Sequence, residues 1–387
     1  MAREFETIVV GAGPAGALAA WELARAGRSV ALVEQHGLPR SKTCGGGLVW
    51  RGRRRLPREF VLPVERECRR ARLRLAPGAE PVEIVREQPI VSMTMRAELD
   101  LALVELARAA GAELLERTRV EGLQSDARGV ELSTSSGGLR ARALVGADGA
   151  RGVVARLAGW SEPLATIPAL EAEIEASPEL FARHAEAAVF DFGLQPHGYA
   201  WCFPKRGHLS VGVLSMRRGP QQLASVLRAY LAGLGLAAAH VREASGCVIP
   251  VRPRQCRARG PVLLVGDAAG LVDPLTAEGL SLAIESGRLA GQALAARAGD
   301  ALRAGRDYER ALRAELLPEL ARARWLAHLA YERPGLAQRI LRRNARAACE
   351  VLGDIVSGTR SYRGLLSDPR AWLALAGVRF VRSAAAT

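Results

Sequence analysis

Thr7-Ile-Val-Val-Gly-Ala-Gly-Pro-Ala-Gly16 decides the fold. Thr7 to Val10 are all β-branched and read as a buried strand. Gly11, Gly13 and Gly16 follow in the spacing G-x-G-x-x-G, and Ala17 to Ala26 reads as a helix that Gly27 stops. Arg28 to Val33 is a second expected strand, with Glu34 at its end. Gly11 permits the tight turn. Gly13 lets backbone approach a pyrophosphate, and Gly16 lets the helix pack close on the strand. The helix N-terminus then offers free N–H groups and a positive dipole end to phosphate. Glu34 stands 23 residues after Gly11, where a carboxylate can accept from both ribose hydroxyls. Gly11, Ala12, Gly13, Pro14, Ala15 and Gly16 are therefore the expected phosphate loop, with Glu34 and Gln35 at the ribose.

The chain has 387 residues, room for two domains or one large one with an inserted layer. Its 49% hydrophobic content suits a globular protein with a sizeable core. No run of 18 or more uncharged apolar residues indicates a transmembrane helix. The N-terminus leads almost directly into the first strand, leaving no room for a signal peptide. Six cysteines are scattered without C-x-x-C and without a His–Cys cluster of metal spacing. A reduced cytoplasmic protein without a metal is expected. The formal net charge is +14, and Lys42 and Lys205 are the only lysines, so almost all of the positive charge is arginine. A coding bias accounts for much of that arginine; an anionic membrane face or an acidic partner is the functional alternative. Aromatics are only 5% and no nucleic-acid motif appears, so nucleic acid is not an expected partner.

Further along, Arg40-Ser-Lys-Thr-Cys44-Gly-Gly-Gly47-Leu48 contains three successive glycines, which allow backbone to lie flat against something planar or to bend sharply. Cys44 is either a small buried hydrophobe or a weak acid beside a cofactor. Arg51 to Arg58 is a basic cluster that reads as a solvated loop. Residues 69–75 and 82–91 alternate like half-buried antiparallel strands. Arg96 leads into a helix from Ala97 to Ala110, and two short strands near Glu113 and Arg119 precede a hairpin turning at Gly137-Gly138. The hairpin ends in Asp148-Gly149, and a helix from Val153 follows. Asp148 is either an N-cap or, at the carboxyl end of a strand, a cofactor contact. Gly260 to Val265 is another buried strand, ending in Gly266-Asp267. Asp267 is placed to hold a ribityl hydroxyl or a water on phosphate, and Gly279 and Leu280 open a helix whose N–H groups can face an electron-rich ring edge. Tyr199, Trp201 and Phe203 fall at i, i+2, i+4 on one strand face, either the wall of an apolar pocket or plain sheet core. From Asp300 onward the pattern is helical, broken at Pro318, Pro334 and Pro369. An apolar last segment, Ala371 to Arg382, is expected to pack on the body.

Gly11-x-Gly13-x-x-Gly16 with Glu34, Asp148-Gly149 and Gly266-Asp267, in that order, resemble flavoproteins of the p-hydroxybenzoate hydroxylase fold. Cys44-Gly-Gly-Gly47-Leu48 and Tyr199-x-Trp201-x-Phe203-Pro204-Lys205 are similar to signatures of the geranylgeranyl reductase family, whose members hydrogenate isoprenoid C=C bonds. The resemblance covers roughly residues 5 to 300 and departs at Ala277, where the family usually has Gly. It implies an α/β fold: a Rossmann-type FAD-binding domain (1–60, 93–160 and 245–300), an interleaved antiparallel-sheet substrate domain (61–92 and 161–244) and a helical C-terminal region (301–387). It further implies FAD as cofactor, Arg96 at its diphosphate region and Val120 meeting the adenine through backbone. Cys44 to Gly47 would lie along the isoalloxazine near the substrate, and the proton of the reduction is expected from water or from a weak acid such as Cys44. Gly46, Gly47, Tyr199, Trp201, Phe203 and Pro204 would line a lipid pocket.

The expected activity is an FAD-dependent reductase of an isoprenoid or other hydrophobic alkene, with hydride leaving reduced flavin N5. No second G-x-G-x-x-G appears, so electrons are expected from transient NAD(P)H or from a ferredoxin-like donor. A flavin-dependent aromatic monooxygenase or halogenase on the same scaffold, or an electron-transfer flavoprotein to quinone, is the alternative. A hydrophobic small molecule is the expected partner, and peripheral membrane contact through the basic C-terminal region stays open.

Overall fold

The structure, a computed structural model, describes residues 2–194, 197–217, 222–333, 335 and 344–369. The strand read at Thr7 extends over Arg3–Val10, and its last four residues are buried, as their apolar run requires. Helix Pro14–Arg25 starts three residues before the expected Ala17, because Pro14 at the first turn suits a helix start and Gly13 precedes it in extended conformation. Gly27 then takes φ +73° just past the helix end.

Among the described residues, Arg3–Val10 lies inside an eight-stranded sheet. It pairs in parallel with Val30–Val33 on one side and Gly137–Gly146 on the other, and Val262–Leu264 extends the parallel set. The three expected ligand turns, after Val10, Gly146 and Leu264, therefore emerge at the same edge, where open α/β sheets bind ligands. Helix Leu280–Ala296 crosses Pro14–Arg25 closely. A Cβ on Gly287 or Gly291 would come closer than 3.0 Å to the Ala15 or Ala19 carbonyl oxygen, so glycine is required at both.

A second, seven-stranded sheet includes Arg70–Arg74, Val82–Val85, Thr166–Glu175, Ala188–Asp191, Gly198–Pro204, Leu209–Ser215 and His240–Pro250. Its strand His240–Pro250 runs through the expected boundary at 244/245, and the sheet continues to Pro250. The expected alternating stretch 82–91 is two elements: Val82–Val85 belongs to this sheet, and Val91–Met93 joins Gly47–Val49 and Arg66–Cys68 in a separate three-stranded sheet.

The arginines at 51–58 differ from the expected solvated loop. Trp50–Arg53 is a short helical turn; Arg51 pairs with Glu278, Arg53 with Glu67 and Arg55 with Glu285, while Arg54 and Arg58 stay exposed. Their carboxylate partners come from distant segments, which local composition does not reveal. Beyond Asp300, helices Ala301–Glu315, Leu317–Ala327, Ala345–Ser357 and Tyr362–Leu366 follow. Ala345–Ser357 folds back on the seven-stranded sheet, with Cys349 fully buried and Gly353 directly over Ile84. The expected break at Pro334 and the segment Ala371 to Arg382 lie outside the described residues. No helix among the described residues is long and apolar enough to cross a membrane.

Candidate active site

The first cradle forms where Arg3–Val10 ends. Gly11 takes φ +103°, a conformation L side chains rarely adopt, and a Cβ there would run into the backbone of Ala147. At Gly16 a Cβ would collide with the Gly11 carbonyl. Glu34 is buried; its Oε2 accepts from the Ala12 N–H at 3.1 Å and its Oε1 from the His36 N–H at 3.1 Å. Thr118 N–H donates to the Glu34 carbonyl, which brings the strand beginning at Val120 alongside, while Gln35 is exposed.

Arg40, which the sequence reading passed over, bridges Glu34 at 3.2 Å and Asp100 at 3.2 Å. Asp100 also holds Arg96 through two hydrogen bonds, at 2.9 and 2.7 Å. Burial alone would lower the Arg96 pKa, but Asp100 and Cys44 more than offset it, so the guanidinium stays charged. A Cβ on Gly13 would sit 3.8 Å from Arg96 and 3.9 Å from Arg40, so both cations stand beside that glycine. The Asp148 carboxylate turns to the Val154 N–H at 2.9 Å, doing the work of a helix cap, and its backbone packs on Gly11. The other carboxylate oxygen, Oδ1, is buried without a hydrogen-bond partner among the described residues.

The second cradle is Gly266–Gly279. Gly266 takes φ +53° and donates its N–H to Ser286 Oγ at 2.9 Å. Lys42 approaches Asp267 at 3.9 Å, and a Cβ on Gly279 would be 3.4 Å from Asp267 Oδ1. Leu280 opens its helix as read from the sequence, with Gly279 as N-cap and no cap from that residue's side chain. Glu278 Oε1 accepts from the Ser281 N–H at 2.7 Å, while Arg51 holds its other oxygen at 2.9 Å. Ala277 has φ 56°. An alanine there carries strain of about 1–2 kcal/mol that glycine avoids. Ala277→Gly is expected to stabilise the protein by roughly 0.5–1 kcal/mol after the added freedom of the unfolded chain is counted; a lower melting temperature in thermal unfolding would refute this.

Between the cradles lies a cavity of about 210 Å³. Cys44, Gly45, Gly46 and Gly47 form one side and Tyr199, Trp201 and Phe203 another, with Arg96, Asp267, Gly279 and Leu280 also reaching it. The glycines are required by contact. A Cβ on Gly45 would be 3.1 Å from Phe203 and from the Trp201 indole nitrogen, and Gly46, at φ +68°, lies under the Thr94 carbonyl and the Lys205 ammonium. Phe190 meets Phe203 edge-on with centroids 5.1 Å apart and extends the aromatic wall. Pro204 is not part of that wall. Strand alternation puts it with Ala200 and Cys202, which pack in a separate core under helix Leu223–Gly233. Ile355 and Val356 from the C-terminal helices complete the lining, a contribution no local pattern announced.

A polar layer underlies the Cys44 loop. Glu171 Oε2 accepts from the Cys44 N–H at 2.7 Å, and Oε1 accepts from Ser210 Oγ at 2.5 Å. Trp201 Nε1 donates to the same Ser210 Oγ at 3.2 Å. Lys205 is 1% exposed and donates to the Thr94 carbonyl at 2.8 Å. The Cys44 sulfur accepts from the Gly46 N–H at 3.4 Å.

The two cradles fit the diphosphate and ribityl ends of a flavin dinucleotide. Gly11, Gly13 and Gly16 leave space that side chains would fill, two guanidinium groups stand beside Gly13, and two helix N-termini point to the same edge. Comparison with known proteins agrees. Residues 66–316 match a family model described as an FAD binding domain, and residues 6–101 match one for FAD dependent oxidoreductases. The chain is 32% identical over 311 residues to geranylgeranyl diphosphate reductase of Rhodobacter capsulatus, spanning 75% of each protein. It is 32% identical over 310 residues to menaquinone reductase of Mycolicibacterium smegmatis, spanning 74% of this chain and 75% of that one. Among solved structures, a geranylgeranyl bacteriochlorophyll reductase-like protein from Thermoplasma acidophilum superposes with a TM-score of 0.76 over 97% of this chain and 96% of that one; at 24% identity this likeness is one of fold.

Proposed function

The chain belongs to the geranylgeranyl reductase family of FAD-dependent oxidoreductases, and from that premise we propose that it hydrogenates C=C bonds of an isoprenoid or similar hydrophobic chain. The observation that carries this reading is the placement of Tyr199, Trp201 and Phe203 in one cavity with the Cys44–Gly47 loop. The aromatic wall offers apolar area to a hydrocarbon chain, worth about 25 cal/mol per Å² removed from water. The glycine backbone of the Cys44 loop packs against that wall without side chains of its own, so it takes no room in the cavity.

Gly11, Gly13, Gly16, Glu34, Arg96, Asp267 and the N-terminus at Leu280 would hold FAD. Reduced FAD supplies a hydride to one alkene carbon. The protein binds and orients the chain, excludes water through its buried aromatic wall, and presents a weak acid for the other carbon. Cys44 is the acid apparent from sequence, and it lines the cavity.

The halogenase alternative needs a free lysine ammonium in the tunnel. Lys205 is buried but already bonded to the Thr94 carbonyl and close to Met95 Sδ at 3.5 Å, and Lys42 is 41% exposed beside Asp267. Lys42 lines the cavity but is paired with Asp267 at its edge, and Lys205 is taken up by backbone, so the reductase reading is preferred. An electron donor, NAD(P)H or a ferredoxin-like protein, belongs to the same proposal.

The test is anaerobic: the protein is reduced with dithionite and mixed with geranylgeranyl substrates. Flavin reoxidation should follow, with mass spectrometry showing two hydrogens added per double bond. Tightly coupled hydroxylation of an aromatic compound on adding oxygen would instead establish the monooxygenase alternative.

A further inference from the structure

We infer that the carboxyl of Glu171 is the proton donor of the reduction and that the Cys44 peptide is the group that positions it. This inference rests on the proposed alkene reduction.

Glu171 lines the cavity, yet only 5% of it is exposed. Each of its oxygens has a fixed donor: the Cys44 N–H at 2.7 Å on Oε2 and Ser210 Oγ at 2.5 Å on Oε1. Among the described residues it has no salt-bridge partner, in contrast to Glu34, Glu22 and Glu278, each of which has an arginine. The charged and titratable groups around it are Glu173 on its own strand, Lys205 and His208 from the turn between strands Gly198–Pro204 and Leu209–Ser215, Cys247 on the strand paired with it, and Cys44 on the loop above. Lys205 spends its ammonium on Thr94, and Glu173 lies 3.2 Å from His208 but off the line a hydrogen bond needs. Burial raises the Glu171 pKa, and the Glu173 charge adds to the rise, against the opposing Ser210 hydrogen bond, Lys205 and the Cys44 N–H. The result is a carboxyl that holds its proton to higher pH than an ordinary glutamate, at the wall of the cavity where the alkene would lie.

The chemistry balances. The hydride from reduced flavin, with its electron pair, forms the first C–H bond as the π bond opens. The Glu171 O–H bond breaks, and its proton forms the second C–H bond. Flavin is left oxidised and Glu171 as carboxylate, held by Ser210 and the Cys44 N–H until water reprotonates it. The Cys44 thiol is not consumed, and its peptide N–H survives any side-chain change.

Glu171→Gln keeps the shape and the capacity to bond Ser210 and the Cys44 peptide. In the FAD-loaded, oxidised enzyme, infrared difference spectra across pH should show a protonated carboxyl band near neutrality that Glu171→Gln removes and Cys44→Ala keeps. In the anaerobic reduced enzyme, Glu171→Gln should slow reoxidation by a geranylgeranyl alkene by roughly a hundredfold. Reoxidation by benzoquinone, which forms no C–H bond, should be unchanged. If Cys44→Ala abolishes alkene turnover while Glu171→Gln does not, sulfur is the donor and the inference is wrong. It is equally overturned if the band shows Glu171 ionised throughout the neutral range. A wild type that reduces no isoprenoid alkene defeats the functional reading itself, whereas a working wild type with an equally fast Glu171→Gln defeats this inference alone.

Discussion

Gly16→Ala is expected to unfold or strip the protein of FAD, although glycine-to-alanine changes inside helices normally stabilise by about 1 kcal/mol. The sign reverses because the new Cβ would lie closer than 3.0 Å to the Gly11 carbonyl oxygen, with the Ala147 side chain 3.1 Å away on another side. Both neighbours belong to the ends of buried parallel strands and cannot rotate aside. Overpacking of this kind costs roughly 1–3 kcal/mol or more, and relief requires moving the phosphate loop itself. The flavin should therefore be lost even where the chain still folds. Gly233→Ala is the control: it closes helix Leu223–Gly233 in open space, so its melting temperature should hold or rise slightly. Differential scanning calorimetry with flavin absorbance decides it. A yellow Gly16→Ala protein of normal stability would mean that the loop does not form as described.

Trp201→Ala is expected to weaken binding of the hydrophobic substrate by roughly 1–3 kcal/mol, the transfer energy of one large side chain, while FAD stays bound. Ten- to hundredfold in the apparent constant follows, since about 1.4 kcal/mol is tenfold. The indole stands between Tyr199 and Phe203 with centroids 6.2 Å from each, its nitrogen on Ser210 and its ring against Gly212, where no Cβ fits. The phosphate and ribityl cradles are built from other segments, so the flavin spectrum should stay near that of wild type. Stopped-flow reoxidation against chains of several lengths is the assay. If Trp201→Ala loses flavin and leaves chain-length preference untouched, the aromatic face is core and not pocket.

Much of the architecture was readable locally because each signal was a property of a few neighbouring residues. Only glycine permits the turn at Gly11, and alternate positions on a strand share a face, so Tyr199, Trp201 and Phe203 had to lie together. The same alternation excludes Pro204, which the family motif carried along with them. Asp148 shows the opposite limit: an acid after a strand suits a cap and a cofactor equally, and only the Val154 N–H at 2.9 Å shows what its carboxylate does.

Groups that meet across long stretches of chain left no such mark. Glu171 and Cys44 are 127 positions apart, Arg40 and Asp100 are 60 apart, and Arg51 and Glu278 are 227 apart. A glutamate at 171 looks like any polar position of an alternating strand until folding removes its water and puts the Cys44 peptide over it. The arginines near 51 looked like a solvated loop for the same reason. Chain geometry, through the φ demands of glycine and the two-residue period of strands, is written in adjacent letters. Burial, pairing of charge and the ionisation they govern depend on which distant surfaces close over a group, and only the packed tertiary structure decides that.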